Sequence, residues 1–375
     1  QRIGGFGGKS DLLATCQTYT GNPGCYINNA KYIDESTSAK IKSTFSEWID
    51  NTPYVLTILP SDKLATNEST VDRSKGVPYP TEKISFKFPT LQTAELSNGA
   101  KVVLAERKNI PLVEMNIQFD FGYAQEDADQ IGYTNFMMDM LNEGTKKYSS
   151  LEFDEVLDSL GANMGFGSDL DTSYVSISSL KSNLDETLDL AKEAIMFPTF
   201  PETEIARIKN QTLAALKRAE FQPGSIAFRN IGNLLYGEDH PYGKLRIGSG
   251  ATQAIKSINS KKLSNIHKLA LNPNHVTFTV AGDITLDEIV SLLESKFGKW
   301  TSGSNTDLKN IPNVALPERR KVYLINKPNA EQSYIVAGQL LPPSATSEEF
   351  KIDYMNYAIG GSFTSRLNMN LREDK

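Results

Sequence analysis

Three features of this sequence predict an α+β fold in which antiparallel-rich mixed sheets are covered by helices. Short apolar runs separated by turn residues, such as the pair that flanks Asn98-Gly99, predict strand hairpins. Runs with apolar residues three and four positions apart follow them and predict amphipathic helices. The same order of elements begins again roughly 200 residues later, which indicates duplicated domains and not the shorter repeats of a solenoid. Hairpins mixed with helix pairs are typical of sheets that helices cover on one face.

The first 60 residues have the pattern of the C-terminal end of a preceding domain. Residues 34–49 predict a helix, because polar capping residues precede apolar positions at helical spacing. Residues 54–60 (YVLTILP) predict a strand. The polar run at residues 61–90 shows no periodicity, so its composition predicts a linker.

Residues 91–300 predict one complete domain. Its longest helix begins near Pro201, because proline is tolerated in the first turn of a helix. The other predicted elements, in chain order, are three strands within residues 94–123, a helix from residue 132, a helix at 150–160, a strand at 174–180, and helices at 184–196 and 260–271, followed by a strand at 275–282 and a helix at 286–300.

The pattern restarts after a second polar linker at residues 301–317. Two strands at residues 320–328 and 333–342 and a helix at 348–361 predict that residues 318–375 begin a further domain. The chain starts without a methionine and stops within a helical pattern. We therefore expect it to be a piece of a longer protein.

Composition excludes several classes of function. Of the 375 residues, 39% are hydrophobic and 22% are charged, which is ordinary for a globular protein. The net charge is −6 and no long basic run is present, so the electrostatic footprint of a nucleic-acid-binding protein is missing. No apolar stretch approaches the roughly 18 residues that a membrane span requires.

The two cysteines, Cys16 and Cys25, are too few to form a zinc site alone. A Gly-Asn-Pro-Gly turn lies between them, so in an oxidising compartment they could close a small loop. Two unrelated thiols explain the pattern equally well.

The stretch GYTNFMMDMLNEGT, residues 132–145, raises the question of a metal site. Its apolar positions have helical spacing and predict one buried face. The other face carries Asn135, Met138, Asp139 and Asn142, which stand side by side on a helix. Three interpretations are open: a metal site, the remains of one, or only the solvated side of a helix.

Five stretches together resemble the pitrilysin/insulinase family of zinc peptidases, whose signature is the inverted HxxEH motif. The matching stretches, in the order in which they occur in that family, are residues 96–145, 157–216, GEDHPYG at 237–243, LNPNHVTFTVAGDI at 271–284 and GGSFTSRLNMNLRE at 360–373. The resemblance implies duplicated insulinase-like domains, four to a parent protein, stacked in two halves that close around a peptide. This chain resembles the second, catalytically degenerate half of a tandem bacterial-type member.

The resemblance places HxxEH on Asn135, Phe136, Met137, Met138 and Asp139. Asn135 then replaces the first metal-binding histidine, Met138 the general-base glutamate, and Asp139 the second histidine. The distant glutamate ligand of the family falls on Ala215. Catalytic zinc requires three protein ligands and an open position for water, and of these residues only Asp139 could still bind the metal.

The three histidines, His240, His267 and His275, do not restore a site, because none pairs with another at helical spacing. His240 precedes a proline in GEDHPYG and is predicted to be a structural turn residue. We therefore expect no metal and no catalytic residue in this segment. Solvation or ordinary hydrogen bonding of Asn135 and Asp139 is favoured over any metal.

Arg372 is the candidate substrate-binding residue. In the family, an arginine followed seven residues later by a tyrosine reaches from the last domain towards the zinc site of the first. The resemblance places this arginine in LREDK at Arg372. Arginine offers a fixed fork of donors for a substrate carbonyl or for developing charge. The alternative is an ordinary surface arginine.

The resemblance implies a function: this segment is the non-catalytic lobe of a zinc metallopeptidase, which closes the chamber and binds peptide. Its expected partners are peptide or unfolded polypeptide, and the catalytic half of the same chain or a separate subunit. Zinc is expected only in that active half. Two alternatives are a non-catalytic partner subunit of a separate peptidase and a purely structural homologue. The expected location is the periplasm or cell envelope, with the cytoplasm as the alternative.

Overall fold

The computed structural model describes residues 8–49, 89–244, 250–301, 310–316, 319–330, 332–344 and 346–374. The chain divides into two compact units, residues 1–90 and 91–375. The predicted strand at 54–60 and nearly all of the predicted linker at 61–90 lie outside the described residues. No described helix is both long and apolar enough to cross a membrane.

The described part of the first unit is helical. Helix α1 spans Gly8–Thr20, α2 spans Cys25–Asp34 and α3 spans Ser38–Trp48. The predicted helix at 34–49 is therefore present but shorter, because Thr37 adopts extended backbone and its side chain accepts a hydrogen bond from the Lys40 amide. An N-cap of this kind sets the first turn of a helix.

A disulfide joins Cys16 of α1 to Cys25 of α2, so the thiols pair. The crosslink closes a loop with a sequence separation of 9 residues. A crosslink that closes a loop of this size lowers the conformational entropy of the unfolded chain, which stabilises the folded state by about 2–3 kcal/mol. We expect reduction to lower the free energy of opening the α1–α2 hairpin by about that amount, measured by hydrogen exchange with and without reductant. A Cys16→Ala/Cys25→Ala variant should not respond to the reductant, and equal exchange in oxidised and reduced wild-type chain would contradict the expectation.

The second unit is built on one sheet of six strands within the described residues. The spatial order of the strands is β1-β2-β6-β3-β5-β4, and only the β2–β6 pair is parallel. An antiparallel-rich mixed sheet covered by helices is the predicted fold class, which the structure confirms. The strands are β1 Gln92–Glu95, β2 Lys101–Glu106, β3 Leu112–Phe119, β4 Asn163–Ser168, β5 Ser173–Leu180 and β6 Val276–Gly282.

The helices of the second unit follow the predicted order. Three of the described elements, α8, α9 and strand β4, were not predicted. The helices are α4 Tyr133–Asp139, α5 Ser150–Ser159, α6 Leu184–Met196, α7 Glu202–Ala219, α8 Pro223–Tyr236, α9 Thr252–Ser257, α10 Ser260–Ala270, α11 Leu286–Phe297, α12 Glu349–Asn356 and a short α13 at Arg366–Asn368. Helical turns at Tyr357–Gly361 and Met369–Glu373 flank α13.

The core lies between one face of the sheet and the helices. Along β3, Val113, Met115, Ile117 and Phe119 are buried, and the residues between them are exposed or half-buried. The same alternation along β5 and β6 brings one face of the sheet against the helices. The opposite face carries exposed or half-buried side chains, among them Glu114, Asn116 and Gln118 of β3.

The Asn98-Gly99 turn shows why the sequence forms the first hairpin. Gly99 has a φ of +87°, which favours glycine. The Asn98 side-chain amide donates to the carbonyls of Phe297 and Trp300, each at 3.0 Å. The turn therefore connects β1 and β2 to the end of α11.

The strands predicted at residues 320–328 and 333–342 are wrong for this structure, since the described residues there belong to no strand and pair with no described strand. Val322 and Leu324 are 95% and 93% exposed. A strand needs a hydrogen-bonded neighbour, and none is present in the described part of the chain. The predicted helix at 348–361 is present as α12 and the turn that follows it. The domain boundary at 301–317 stays a prediction.

Candidate functional site

Helix α4 carries the residues at the motif positions, and a close backbone contact sets its start. Gly132, directly before the helix, has a φ of +101°, and a Cβ there would lie 2.4 Å from the Gly250 Cα. Only glycine fits this position. Phe136, Met137, Met140 and Leu141 are buried, so the apolar face predicted for this stretch packs into the core. Met138, which the sequence placed on the opposite face, is wrong in that placement, because it is buried as well.

A buried carboxylate holds the first turn of α4. Glu126, which is 1% exposed, accepts hydrogen bonds from the Gly132 amide at 2.7 Å and the Thr134 amide at 2.6 Å. Burial raises the pKa of Glu126 to about 7, although the two amides and the Lys244 ammonium favour the charged form. Neither Glu126 nor Lys244 was predicted from the sequence. An acidic residue shortly before a helix was the only available signal.

A second cluster joins α4 to α9 and α10. The Tyr133 hydroxyl lies 2.7 Å from the Ser257 hydroxyl, and the Lys262 ammonium donates to both, at 3.0 and 2.9 Å. The Ser257 hydroxyl also donates to the Ala254 carbonyl at 2.8 Å. Its proton is thus held by a carbonyl, which is not a base, so the cluster fixes the helix and does not activate a nucleophile.

The three residues at the motif positions have different surroundings. The Oδ1 atom of Asn135 is buried and accepts no hydrogen bond from any described residue. Met138 is 0% exposed. Asp139 is exposed at the end of the helix, yet the surrounding protein excludes enough water to raise the pKa of its carboxyl to about 6, and the negative charge of Glu143 adds to the shift.

These residues do not fit a zinc ion. Ala215 lies exposed on α7 and offers no donor atom. Met138 cannot accept a proton from water, and the buried Asn135 oxygen is a weak ligand. Within the described ranges, no three His, Cys, Asp or Glu side chains are grouped so that they could hold a metal. The retained helix therefore presents one carboxylate where a catalytic site needs three ligands and a base.

Beyond the end of α4, carboxylates are partly neutralised by an arginine. Arg207 of α7 contacts Glu143 and also Glu204, the latter at 2.7 Å. Glu143 accepts a further bond from the Ser150 hydroxyl at 2.9 Å. The ion pair between Arg207 and Glu143 joins α7 to the loop after α4. Residues 143–150 line a shallow cavity there, together with Thr199, Pro201, Thr203 and Glu204.

The histidines occupy separate places. His240 is 7% exposed in the turn after α8, as predicted, and its Nδ1 accepts from the Tyr242 amide at 3.0 Å. His267 lies 2.8 Å from the Ile195 carbonyl through Nε2, and burial lowers its pKa. His275 lies in the short turn before β6. They do not approach one another as a ligand set among the described residues.

Arg372 lies in the last described turn of the chain. Its Nε is 3.7 Å from the Glu373 carboxylate, and its guanidinium lies 4.8 Å from the centroid of the Phe363 ring. The side chain is 63% exposed. Both contacts are local, so the structure does not bring Arg372 together with Asn135 or Asp139. Its substrate-binding role stays a prediction.

Two family models match the chain. Residues 101–244 match the family described as Insulinase (Peptidase family M16), and residues 257–375 match the Peptidase M16 inactive domain. Together they account for well over half of the chain. The chain belongs to the insulinase family of peptidases. Helix α4 lies within the first of these matches, and the inactive-domain match begins after it, at residue 257.

Two curated relatives of this insulinase-family chain come from bacteria. It is 25% identical over 279 residues to the Bacillus subtilis protein named "Uncharacterized zinc protease YmxG", covering 74% of this chain and 66% of the relative. It is 22% identical over 292 residues to the Helicobacter pylori "Non-peptidase homolog YmxG", covering 76% and 66%. The chain thus spans about two thirds of the length of these relatives.

Solved structures share the insulinase-family fold. The peptidase M16 inactive domain from Pseudomonas fluorescens has a TM-score of 0.66 and 25% identity, covering 76% of this chain and 68% of that one. The periplasmic protease PqqL from Escherichia coli has a TM-score of 0.55 and 20% identity, covering 60% of this chain and 25% of that one. At the latter identity the similarity concerns the fold alone.

Proposed function

We propose that this chain is the non-catalytic lobe of an insulinase-family zinc metallopeptidase, which closes the chamber and binds peptide for an active site carried elsewhere in the parent protein. One observation carries the proposal: α4, the helix with the signature, is retained and packed in the core while its ligand and base positions hold Asn135, Met138 and Asp139. A domain that retains the fold but lacks the metal ligands contributes to function through the contacts that its surfaces make.

The open edge of the sheet is the proposed peptide-binding surface. Strand β4 pairs with β5 on one side and is the last strand of the sheet in the described residues. Met164 and Phe166 pack towards the core, which fixes the strand in place. An extended peptide added beside β4 would gain main-chain hydrogen bonds that make few demands on its sequence. Helix α4 packs against the same strand.

Arg372 is proposed to bind the substrate when the halves close. Its 63% exposure leaves the guanidinium available to a partner surface. The fork of donors suits a carbonyl or a developing oxyanion.

The proposed partner is a catalytic half, in the same chain or in a separate subunit, and zinc would belong to that half. The Helicobacter pylori relative named as a non-peptidase homolog favours the second candidate, a non-catalytic subunit that works beside an active one. A purely structural homologue is the third. Peptide binding separates the third candidate from the first two.

We propose a periplasmic or cell-envelope location. The Cys16–Cys25 disulfide is of a kind that persists in oxidising compartments. The fold is shared with a protease described as periplasmic. A cytoplasmic location is the alternative, and trapping free thiols in intact cells with a membrane-permeant reagent would support it if both cysteines were labelled.

The test is to measure metal content, cleavage and peptide binding on the purified chain. After dialysis we expect no stoichiometric zinc by elemental analysis and no cleavage of unstructured peptides, because ligands and base are missing. A fluorescent unstructured peptide should nevertheless bind, as followed by anisotropy.

Two matched peptides serve as controls for the mode of binding. A scrambled peptide should bind within a fewfold range, whereas one with alternate amides N-methylated should lose about tenfold or more, since it cannot donate main-chain hydrogen bonds. One zinc per chain that is lost on Asp139→Ala would refute the non-catalytic assignment. No binding of any peptide would favour the structural homologue.

A further inference from the structure

Residues near the end of the described chain repeat the sequence pattern of strands β2 and β3. Residues 321–340 align with residues 101–120 without a gap. The sequence KVVL at the start of β2 becomes KVYL in the second copy, and Met115 of β3 becomes Ile335. The alignment therefore gives each residue of the second copy a counterpart in the complete sheet.

The two copies differ in how far matched side chains are buried. Leu104 of β2 is 0% exposed, whereas its counterpart Leu324 is 93% exposed. Met115 of β3 is 3% exposed, whereas Ile335 is 88% exposed. Large aliphatic side chains thus lie in the core in the first copy and in solvent in the second, so the second copy lacks a neighbour that the first one has.

The order of strands in the sheet identifies that neighbour. Strands β2 and β3 follow each other in sequence, but β6 lies between them in space, parallel to β2 and antiparallel to β3. Val280 of β6 is paired with Leu104 on one side and with Met115 on the other. Two strands with this topology do not form a hairpin with each other, so both need the strand that enters between them.

Helix α8 already holds the second of the two repeated segments. The Tyr334 ring lies edge-on to the Phe228 ring of α8, with centroids 6.1 Å apart. A Cβ at Gly338 would lie 3.2 Å from the Ile231 side chain of the same helix. The segment is therefore positioned by α8, while Ile335 stays available to a partner.

We propose that residues 321–326 and 333–340 are acceptor segments for one β-strand, which enters between them parallel to the first and antiparallel to the second. The occupant has the pattern of β6, VTFTVAG, with large apolar side chains at the positions of Phe278 and Val280. In the parent protein this strand belongs to the further domain that is predicted to begin at residue 318. The proposal does not depend on peptide binding and goes beyond the proposed function.

A tethered strand tests the proposal on the whole chain. Residues 275–283, HVTFTVAGD, are appended after Lys375 through a flexible linker of about 20 Gly and Ser residues, which gives the strand a millimolar effective concentration. Hydrogen exchange in both acceptor segments should slow at least about fivefold relative to a chain that carries a scrambled strand, the scale of one hydrogen bond. Equal exchange in the two chains would overturn the proposal.

The place of protection distinguishes the acceptor segments from the peptide-binding edge proposed at β4. That edge makes few demands on sequence, so the scrambled strand should protect residues 163–168 as well as the β6 sequence does. The acceptor segments require the apolar pattern, so only the β6 sequence should protect them. Protection at β4 alone would overturn the present proposal and leave the proposed function intact, whereas protection in the acceptor segments alone would do the reverse.

Cross-linking tests whether the strand enters between the segments. A cysteine is placed in the appended strand by Val280→Cys and is combined with Leu324→Cys or, separately, with Ile335→Cys. Both combinations should form a disulfide, because Val280 of β6 lies between the matching positions of β2 and β3. Val322→Cys, two positions away, is the control and should react at least about tenfold more slowly. Cross-linking to only one of the two segments would overturn the insertion.

Two acidic substitutions test the apolar requirement. Leu324→Asp should abolish the protection, because it places a carboxylate where the complete domain buries a leucine. Asn326→Asp is the matched control and should keep it, because the complete domain already carries a carboxylate at the counterpart, Glu106. Equal effects of the two substitutions, or a dimer of the untethered chain that Leu324→Asp dissociates, would overturn the proposal. If a tethered chain fails to fold, free HVTFTVAGD peptide at millimolar concentration with the wild-type chain gives the same comparison.

Discussion

Replacing Met138 with glutamate is expected to lower the free energy of unfolding by about 3–5 kcal/mol, the scale for an uncompensated buried charge. In an active insulinase-family domain this position holds the general base. Here Met138 is 0% exposed on a helix whose neighbouring motif positions are Asn135 and Asp139. Neither side chain carries a positive charge that could neutralise a carboxylate. Chemical denaturation followed by circular dichroism measures the change.

The loss should depend on pH in a defined direction. Burial raises the pKa of the new carboxyl in the folded state above its unfolded value of about 4.3. Below that value both states are protonated and the loss is smallest. As pH rises, the unfolded state ionises freely and the folded state does not, so the loss grows.

Met138→Leu is the matched control, because it keeps an apolar side chain of similar volume and should cost less than about 1.5 kcal/mol. A Met138→Glu variant as stable as Met138→Leu at neutral pH would mean that the site still offers a cation or solvent to a carboxylate. The degenerate-site assignment would then be wrong.

A single substitution cannot restore a metal centre on α4, because several ligand and base positions have been replaced. A histidine at Asn135 or Asp139 adds one ligand, while Ala215 on α7 still contributes none. A glutamate at Met138 is destabilising until a cation is present. The replaced residues are thus mutually consistent: an apolar side chain at the base position suits a helix without metal.

The parts of the fold with strong periodicity could be predicted from sequence. Apolar spacing located α6, α7, α10 and α11, and the Asn98-Gly99 turn located the first hairpin. Strand β4, NMGFGS, was missed, since Gly165 and Gly167 remove the alternation that marks a strand. A Cβ at Gly167 would lie 2.6 Å from the Tyr174 hydroxyl and one at Gly165 would lie 2.8 Å from the Ser176 hydroxyl. Cross-strand side chains thus occupy the space beside both glycines, which no local pattern reveals.

In the segment after residue 319 the error is the reverse, because strands were predicted there and the structure describes none. Val322, Leu324 and Ile335 have high strand propensity, yet they are exposed, with no paired strand among the described residues. Strand formation depends on a neighbour that a local pattern cannot supply. The apolar pattern therefore indicated that these residues favour a strand, but it could not show that a neighbouring strand is there to pair with.

The candidate site was predictable where chemistry depends on residue type. The expectation that residues 135, 138, 139 and 215 form no ligand set rests on their residue types, at positions that the family resemblance assigns. The buried cap by Glu126 was not predictable, because its partners at Gly132 and Thr134 depend on the path of an irregular loop. The contact between His240 and Pro312 spans 72 residues and depends on tertiary packing.

Replacing Arg372 with alanine in the proposed zinc-carrying parent protein is expected to reduce kcat/KM by about tenfold to a thousandfold, the scale for losing one transition-state donor. The expectation rests on the proposed closure of two halves around the substrate. In the structure the guanidinium is exposed and contacts only Glu373 and Phe363 among the described residues. Such contacts contribute at most about 1 kcal/mol to stability, so zinc content and Tm should change little.

Two further variants distinguish a substrate-binding role from a general charge effect. Arg372→Lys should recover only part of the activity, because a point charge lacks the two-pronged geometry of the guanidinium. Arg366, six positions earlier and also exposed, has no proposed role, so Arg366→Ala should keep full kcat/KM. Equal losses in the two alanine variants would indicate a long-range electrostatic effect, which added salt would screen. Full activity in Arg372→Ala would exclude the proposed role, and the non-catalytic lobe would then have to act on substrate through the β4 edge alone.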